Sequence, residues 1–248
     1  MRPSRCLFRT KEDMTMNAMT LEAINCAVEY VNPLVQVDPK VVNIKYGDEY
    51  FVIGDIHGRM DLLNIVLKWI YTHPPTEIIF LGDYIDRGPD SALVCRTIME
   101  GKEGWKFTPL RGNHEQMYVD DQPYDPRAIM QLLGSENYHN EFHDWFDSLP
   151  LSVVKDDNIF AHAAYDVNKS QEEQDPEFVL WHRYYNDNWN GDGKYLTHGH
   201  TPSRGVMNTY KHRLNLDTGA FASGVLGVAT FCEGMYGPRH LKEIKFDQ

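Results

Sequence analysis

The stretch "EYFVIGDIHGRMDLLNIVLKWIYTH", residues 49–73, decides how the chain is read. It opens on the apolar run Phe51-Val52-Ile53, which stops at Gly54, Asp55 and His57. Downstream, Leu63, Val66, Leu67 and Ile70 recur at the spacing of one helix face, and Pro74 and Pro75 end the pattern. The order is strand, glycine-rich polar turn, helix. "EIIFLGDYIDRGPDS" (77–91) repeats it, with Pro89, Asp90 and Ser91 suited to the start of a helix running to about Glu100. "KFTPLRGNHEQM" (106–117) is a third strand followed by a polar run. Three such units in succession predict parallel strands joined by right-handed crossovers.

Outward from these units the pattern changes. Residues 125–150 read as mostly helical. The later half reads mostly as strands, in "LSVVKDDNIFAHAA", "KYLTHGHT", "HRLNLDTGAF", "VLGVATF" and "RHLKEIKF". A mixed α/β protein with two sheets is the simplest architecture. Residues 20–32 are expected to form a helix ended by Pro33, inside an N-terminal extension (1–45) that is partly helical or loosely ordered. A single folded domain is expected over 46–248.

Composition narrows the possibilities. With 248 residues and 42% apolar content, a sizeable core is available. No apolar run approaches the roughly 18 residues of a membrane span. The first 20 residues lack the apolar centre of a secretory signal. Cys6, Cys26, Cys95 and Cys232 are widely spaced and form no CxxC pair. That spacing fits a reducing cytoplasm and argues against a disulfide framework or a thiolate zinc site. A net charge of −12 argues against a broad nucleic-acid surface but leaves room for a local basic pocket.

The polar groups fall where apolar strands stop, which is where open α/β sheets bind ligands. Asp55 and His57 follow "FVI", and Asp83, Asp86 and Arg87 follow "IIFL". Arg111, Asn113 and His114 follow "FTPL", His162 follows "NIFA", and His198 and His200 follow "KYLT". Parallel strands would carry the first three loops to a common edge. "RGNHEQM" (111–117) is read as loop: Gly112 and Asn113 argue against a helix start, and Arg111 and His114 against a buried strand. Asp, His and Asn without cysteine suit hard or borderline divalent ions. Six such residues are too many for one tetrahedral ion and suit two ions sharing a carboxylate. Two ions about 3.5–4 Å apart are the standard device for in-line displacement at phosphorus, and Arg87 and Arg111 are placed to fork onto phosphoryl oxygens.

In order, "GDIHG", "GDYIDRG", "RGNHE", "AHAA", "HGHT" and "LDTGA" resemble the signature of metallophosphoesterases over residues 50 to 232. More narrowly they resemble phosphoprotein phosphatases, the serine/threonine phosphatases and their relatives. "RGNHEQM", "VLWHR" and the short length are most similar to the small bacterial and bacteriophage protein phosphatases. The resemblance implies a calcineurin-like fold, a two-sheet β-sandwich flanked by helices with metals at one edge. It implies that Asp55 and His57 bind one metal, that Asp83 bridges, and that Asn113, His162 and His200 bind the second. Arg87 and Arg111 would hold the substrate phosphate, with Arg183 of "LWHR" joining them. His114 would be the general acid, oriented by Asp86. The implied cofactors are two divalent ions, Mn²⁺ foremost, with Fe²⁺, Zn²⁺ and Mg²⁺ as alternatives.

The implied activity is metal-dependent phosphoester hydrolysis, foremost of phosphoserine or phosphothreonine in a protein. A dinuclear-metal-activated hydroxide would attack directly, without a phosphoenzyme. The substrate would be a phosphoprotein or a phosphorylated small molecule. The alternative is a nucleotide hydrolase: "RGPDS" and "THGHT" are similar to diadenosine tetraphosphate hydrolases, and cyclic phosphodiester cleavage is open to the same site. Tyr184, Tyr185 and Trp189 are its candidate stacking residues. A catalytically idle phosphate-binding module is a third reading, but every expected position is filled.

Other groups have plainer readings. His198 would share a strand face with His200 and reads as a supporting or packing residue. His139 and His143 have the spacing of a helical metal pair, but nearby aromatics favour an amphipathic helix. His182 reads mainly as structural, with approach to substrate as the alternative. Glu115 is either a support for the site or a first-turn carboxylate. Residues 166–177 read as a solvated acidic loop, and Trp189–Asp192 as a turn.

Overall fold

A computed structural model of the protein describes residues 49–122, 124–132, 136–184, 189 and 191–245, without the side chains of 136–140. The expected 1–45 extension and its helix lie outside the described residues. Strands β1 (Glu49–Ile53), β2 (Glu77–Phe80) and β3 (Lys106–Pro109) pair in parallel, with Phe51 opposite Ile78 and Ile78 opposite Phe107. Helices α1 (Met60–Ile70) and α2 (Ser91–Glu100) make the crossovers. Pro89 therefore precedes α2 rather than opening it. β9 (Val225–Cys232) and β10 (His240–Lys245) extend the sheet antiparallel, giving the order β10-β9-β1-β2-β3.

The second sheet holds β4 (Ser152–Lys155), β5 (Asn158–Ala161), β6 (Tyr195–His198), β7 (Asn208–Thr209) and β8 (Arg213–Asn215) in the order β4-β5-β6-β8-β7. Here too a parallel triplet, β5, β6 and β8, forms the centre. Side chains alternate across each strand, and the central strands β1, β2, β5 and β6 are buried on both faces. Tyr50, Val52, Ile79, Leu81 and Phe231 meet Phe160, Tyr195 and Leu214 between the sheets. Phe51, Ile53, Ile78 and Phe80 point the other way, into a helix-side core with Leu63, Val66, Leu67 and Ile70 of α1. Each such fully buried side chain contributes about 1.5–3 kcal/mol.

The remaining helices are α3 (Asn113–Val119), α4 (Pro126–Leu132), α5 (Glu136–Ser148), α6 (Pro176–Trp181) and α7 (Ala220–Ser223). α3 corrects the loop reading of "RGNHEQM". Gly112 is its N-cap, with extended backbone (φ −98°, ψ 172°), and the helix starts at Asn113. Glycine is a favoured residue at a cap, so the pair that argued against a helix marks its entry. α5 bears out the amphipathic reading around His143: Phe142 and Phe146 are buried, and the His143 ring meets the Val119 carbonyl at 3.3 Å. His139's side chain lies outside the described set.

Candidate active site

Both parallel triplets end at the same edge of the sandwich. The loops after β1, β2 and β3 carry Asp55 and His57, then Asp83, Asp86 and Arg87, then Arg111, Asn113 and His114. The loops after β5, β6 and β8 carry His162, His200 and Asp217. Asp55, His57, Asp83, Asn113, His162 and His200 are each between 0% and 5% exposed. The loops that deliver them are strained: His57, Asp83, Asp86, Arg87 and His200 all have φ between 49° and 69°. Left-handed backbone at non-glycine residues costs about 1–3 kcal/mol each and persists where surrounding contacts over-determine it. Two loops also touch backbone to backbone. Gly82 has φ +95°, and a Cβ there would stand 2.5 Å from the Gly112 nitrogen.

Asp83 lies at the centre. Its Oδ2 is 3.3 Å from His57 Nε2, and its Oδ1 is 3.4 Å from His162 Nε2. The two carboxylate oxygens thus face different histidines. His57 Nδ1 donates to the Ile85 carbonyl and His162 Nδ1 to the Leu81 carbonyl, each at 2.8 Å. His200 Nε2 donates to the Trp181 carbonyl at 3.2 Å. Each backbone bond fixes a tautomer and turns the other nitrogen's lone pair into the site. Burial lowers the pKa of all three rings, to about 3 for His57 and His200, so they stay neutral.

Asn113 Oδ1 sits 2.9 Å from both His162 Nε2 and His200 Nδ1. Three lone-pair donors therefore converge with no proton between them, an arrangement that a cation satisfies. Two groups of ligand atoms, His57–Asp83–His114 and Asp55–Asp83–His162, each lie within 4.8 Å, and Asp83 belongs to both. An all-N/O donor set of this kind fits divalent ions.

Three further residues, none placed among the metal, phosphate or acid positions by the sequence, complete this edge. Asp217 and Asp55 hydrogen-bond through their side chains; burial and the Asp217 charge push Asp55 well up, and burial raises Asp217 to about 6. Asp217 follows a strand like the other donors, so the same strand-end rule would have found it. Glu115, wholly buried, accepts the backbone N–H groups of Asp83, Tyr84, Ile85 and Gly112 at 2.8 to 3.3 Å. Burial and Asp83 raise it to about 7. Of its two readings, support for the site is the one the geometry favours. Ser91, taken as a helix-start residue, accepts the Asp86 N–H at 3.0 Å.

A second group of side chains borders the donors. His114 Nδ1 is 2.5 Å from Asp86 Oδ2. Burial opposes its protonation, but Asp83 and the Asp86 hydrogen bond raise its pKa above the ordinary histidine value. Arg87 Nη2 lies 3.2 Å from His114 Nε2, and its guanidinium stacks over Phe221 at 4.6 Å and Tyr124 at 5.9 Å. Arg111 is turned toward α5, bonded to Gln116 Oε1 at 2.9 Å and to the Asp147 carbonyl. Arg183 is exposed, and its charge is felt by His162 and His200. Of the three arginines, only Arg87 touches the histidine–aspartate pair.

His198 stands behind the site: Arg213 donates to its Nε2 at 2.7 Å, and its Nδ1 donates to the Gly199 carbonyl at 2.8 Å. It does not share a strand face with His200, because β6 ends at His198 and His200 is left-handed. His182 packs between Phe178 and Tyr184. Tyr184 and Trp189 are core residues and offer no exposed stacking face, while Tyr185 lies outside the described residues.

A donor cluster shared between two sheets, with a histidine–aspartate pair and an arginine beside it, is the arrangement of a metal-dependent phosphoester hydrolase. Its sequence matches the model of the calcineurin-like phosphoesterases over residues 50–229. It is 30% identical to a serine/threonine-protein phosphatase 1 of Salmonella typhimurium over 72% of this chain and 90% of that protein. A putative serine/threonine-protein phosphatase of Schizosaccharomyces pombe is 37% identical over 44% of this chain, a match spanning only 36% of the yeast protein. A solved serine/threonine phosphatase from Saccharomyces cerevisiae shares the fold, with a TM-score of 0.61, 18% identity, and 92% of this chain and 90% of that one covered. The protein belongs to the calcineurin-like phosphoesterase family. No helix among the described residues is long and apolar enough to cross a membrane.

Proposed function

We propose that the protein removes phosphate from phosphoserine or phosphothreonine side chains of a protein substrate. The observation that carries this reading is the buried pair of His114 and Asp86, 2.5 Å apart beside Arg87 and the donor cluster. An alkoxide leaving group needs a proton, whereas a phosphoanhydride leaving group needs one far less. A histidine held protonatable by two carboxylates supplies that proton from Nε2. The printed names of the Salmonella and yeast relatives support the same substrate class.

Asp55, His57 and Asp83 would hold one divalent ion, and Asp83, Asn113, His162 and His200 a second, with Mn²⁺ the first candidate. When bound, the pair supplies Lewis acidity to the phosphoryl group and acidifies the attacking water. The chain's own share is positional. Arg87 orients the phosphate beside His114, Arg111 reaches it once released from Asp147, and Arg183 closes the opposite side. Asp86 fixes the ring that gives up the proton. Cys95 and Cys232 are buried and form no disulfide among the described residues, which suits action in the cytoplasm.

The nucleotide reading loses support because Tyr184 and Trp189 are packed into the core. Turnover of a phosphoserine peptide, diadenosine tetraphosphate and a cyclic nucleotide, compared with Mn²⁺ present, separates the two. The peptide is expected to show the highest kcat/KM and the strongest dependence on His114. A higher kcat/KM for either nucleotide would replace this proposal.

A further inference from the structure

Beside the site runs a groove of about 590 Å³, lined in part by Ser203, Arg204, Val206, Gly219, Phe221 and Lys245. Phe221 belongs to both places. Its ring meets His57 edge-on at 5.6 Å and lies under the Arg87 guanidinium, and it also walls the groove. The groove is fastened to the site by backbone. Ser203 and Gly205 donate their N–H groups to the carbonyls of Asp217 and Thr218, each at 2.9 Å.

The charge in this groove runs against the molecule. The chain carries a net −12, yet Arg204 and Lys245 are exposed and make no ion pair with any described residue, and no carboxylate of a described residue lines the groove. Glu243, two residues before Lys245, is turned onto the Met207 N–H at 3.1 Å. Val206, 51% exposed, adds an apolar surface among these cations. We propose that this groove receives acidic side chains flanking the phosphorylated residue, so that the preferred substrates are phosphopeptides with an acidic neighbourhood. The inference rests on the protein phosphatase reading and adds the sequence context that the site selects.

The test uses phosphoserine peptides flanked by glutamates or by alanines, with p-nitrophenyl phosphate as a substrate too small to reach the groove. The Mn²⁺-loaded wild type should favour the glutamate peptide by about ten-fold in kcat/KM, mostly through KM, and less so as salt rises. The double variant R204E/K245E should lose that preference while turning over p-nitrophenyl phosphate at the wild-type rate, which also shows that it folds. R204Q/K245Q should lie between. Equal use of both peptides, or a preference unchanged in the double variant, would overturn the groove assignment and leave the phosphatase reading standing. So would a preference for diadenosine tetraphosphate that the double variant alone abolishes. Wild type inert toward p-nitrophenyl phosphate would remove both.

Discussion

Strand β2 has a buried carboxylate near each end, and the two ends are finished differently. Glu77, at its start, is met by Lys155 at 2.6 Å and Lys106 at 2.9 Å, with the Thr108 hydroxyl also donating. Burial would raise its pKa, but these partners hold it at about 2. Asp83, three residues past the other end, faces neutral imidazoles, with the acids Asp55 and Asp217 nearby. One end is closed by the protein's own cations. The other gathers lone pairs and negative charge that the chain leaves for something else to balance. The difference separates what the strand does for stability from what it does for chemistry.

The sharpest way to break this contrast is Asp83→Asn. It should abolish bound divalent metal by elemental analysis and cut kcat by about 10⁴-fold or more; full activity would show that the edge is no metal centre. His114→Asn should cut turnover of a phosphoserine peptide by about 10³-fold while metal content stays at the wild-type level. Loss of metal in that variant would move His114 from proton donor to ligand. Glu115→Ala strips the acceptor from four backbone N–H groups and should lower stability by about 3 kcal/mol in urea unfolding, with kcat falling because the Asp83 loop loosens. An unchanged urea midpoint would remove Glu115 from the support of the site.

The smallest effect belongs to the closed end. Glu77→Gln should cost about 1–2 kcal/mol and leave kcat alone. The sign with pH follows from a depressed carboxylate. Its folded pKa of about 2 lies below the ordinary 4.5, so its stabilisation is complete above 4.5 and fades as pH falls toward 2. The stability gap between wild type and Glu77→Gln should close over that window. A gap independent of pH would mean that the two lysines contribute through packing alone.

Much of the site was legible because strand ends in this chain are punctuated by glycine and then by Asp, His or Asn. The parallel order of β1, β2 and β3 followed from three repeated strand–turn units, and the convergence of their loops followed from that order. Less legible were residues whose role is set by partners far along the chain. Glu115 reads equally as a support for the site or a first-turn acid until the Asp83 loop, about thirty residues earlier, is folded onto it. Ser91 reads as a helix start until the Asp86 N–H is seen to point at its hydroxyl. The same limit applies to Arg111, whose tie to Asp147 depends on where α5 ends. Backbone strain was hard to read as well: Asp and His are enriched among left-handed non-glycine residues, but most of them are not left-handed, so His57, Asp83 and His200 were not singled out by type.

The contact of Gly82 with Gly112 has one more consequence. With no room for even a methyl group between them, the second and third motifs form a single seam, and neither can lengthen, shift or be exchanged alone. Transplanting either segment into a relative would require carrying its partner along, and an alanine at either glycine should pry Asp83 away from Asn113 although neither side chain is altered. Heredity would then have to treat two separate stretches of this chain as one inseparable part.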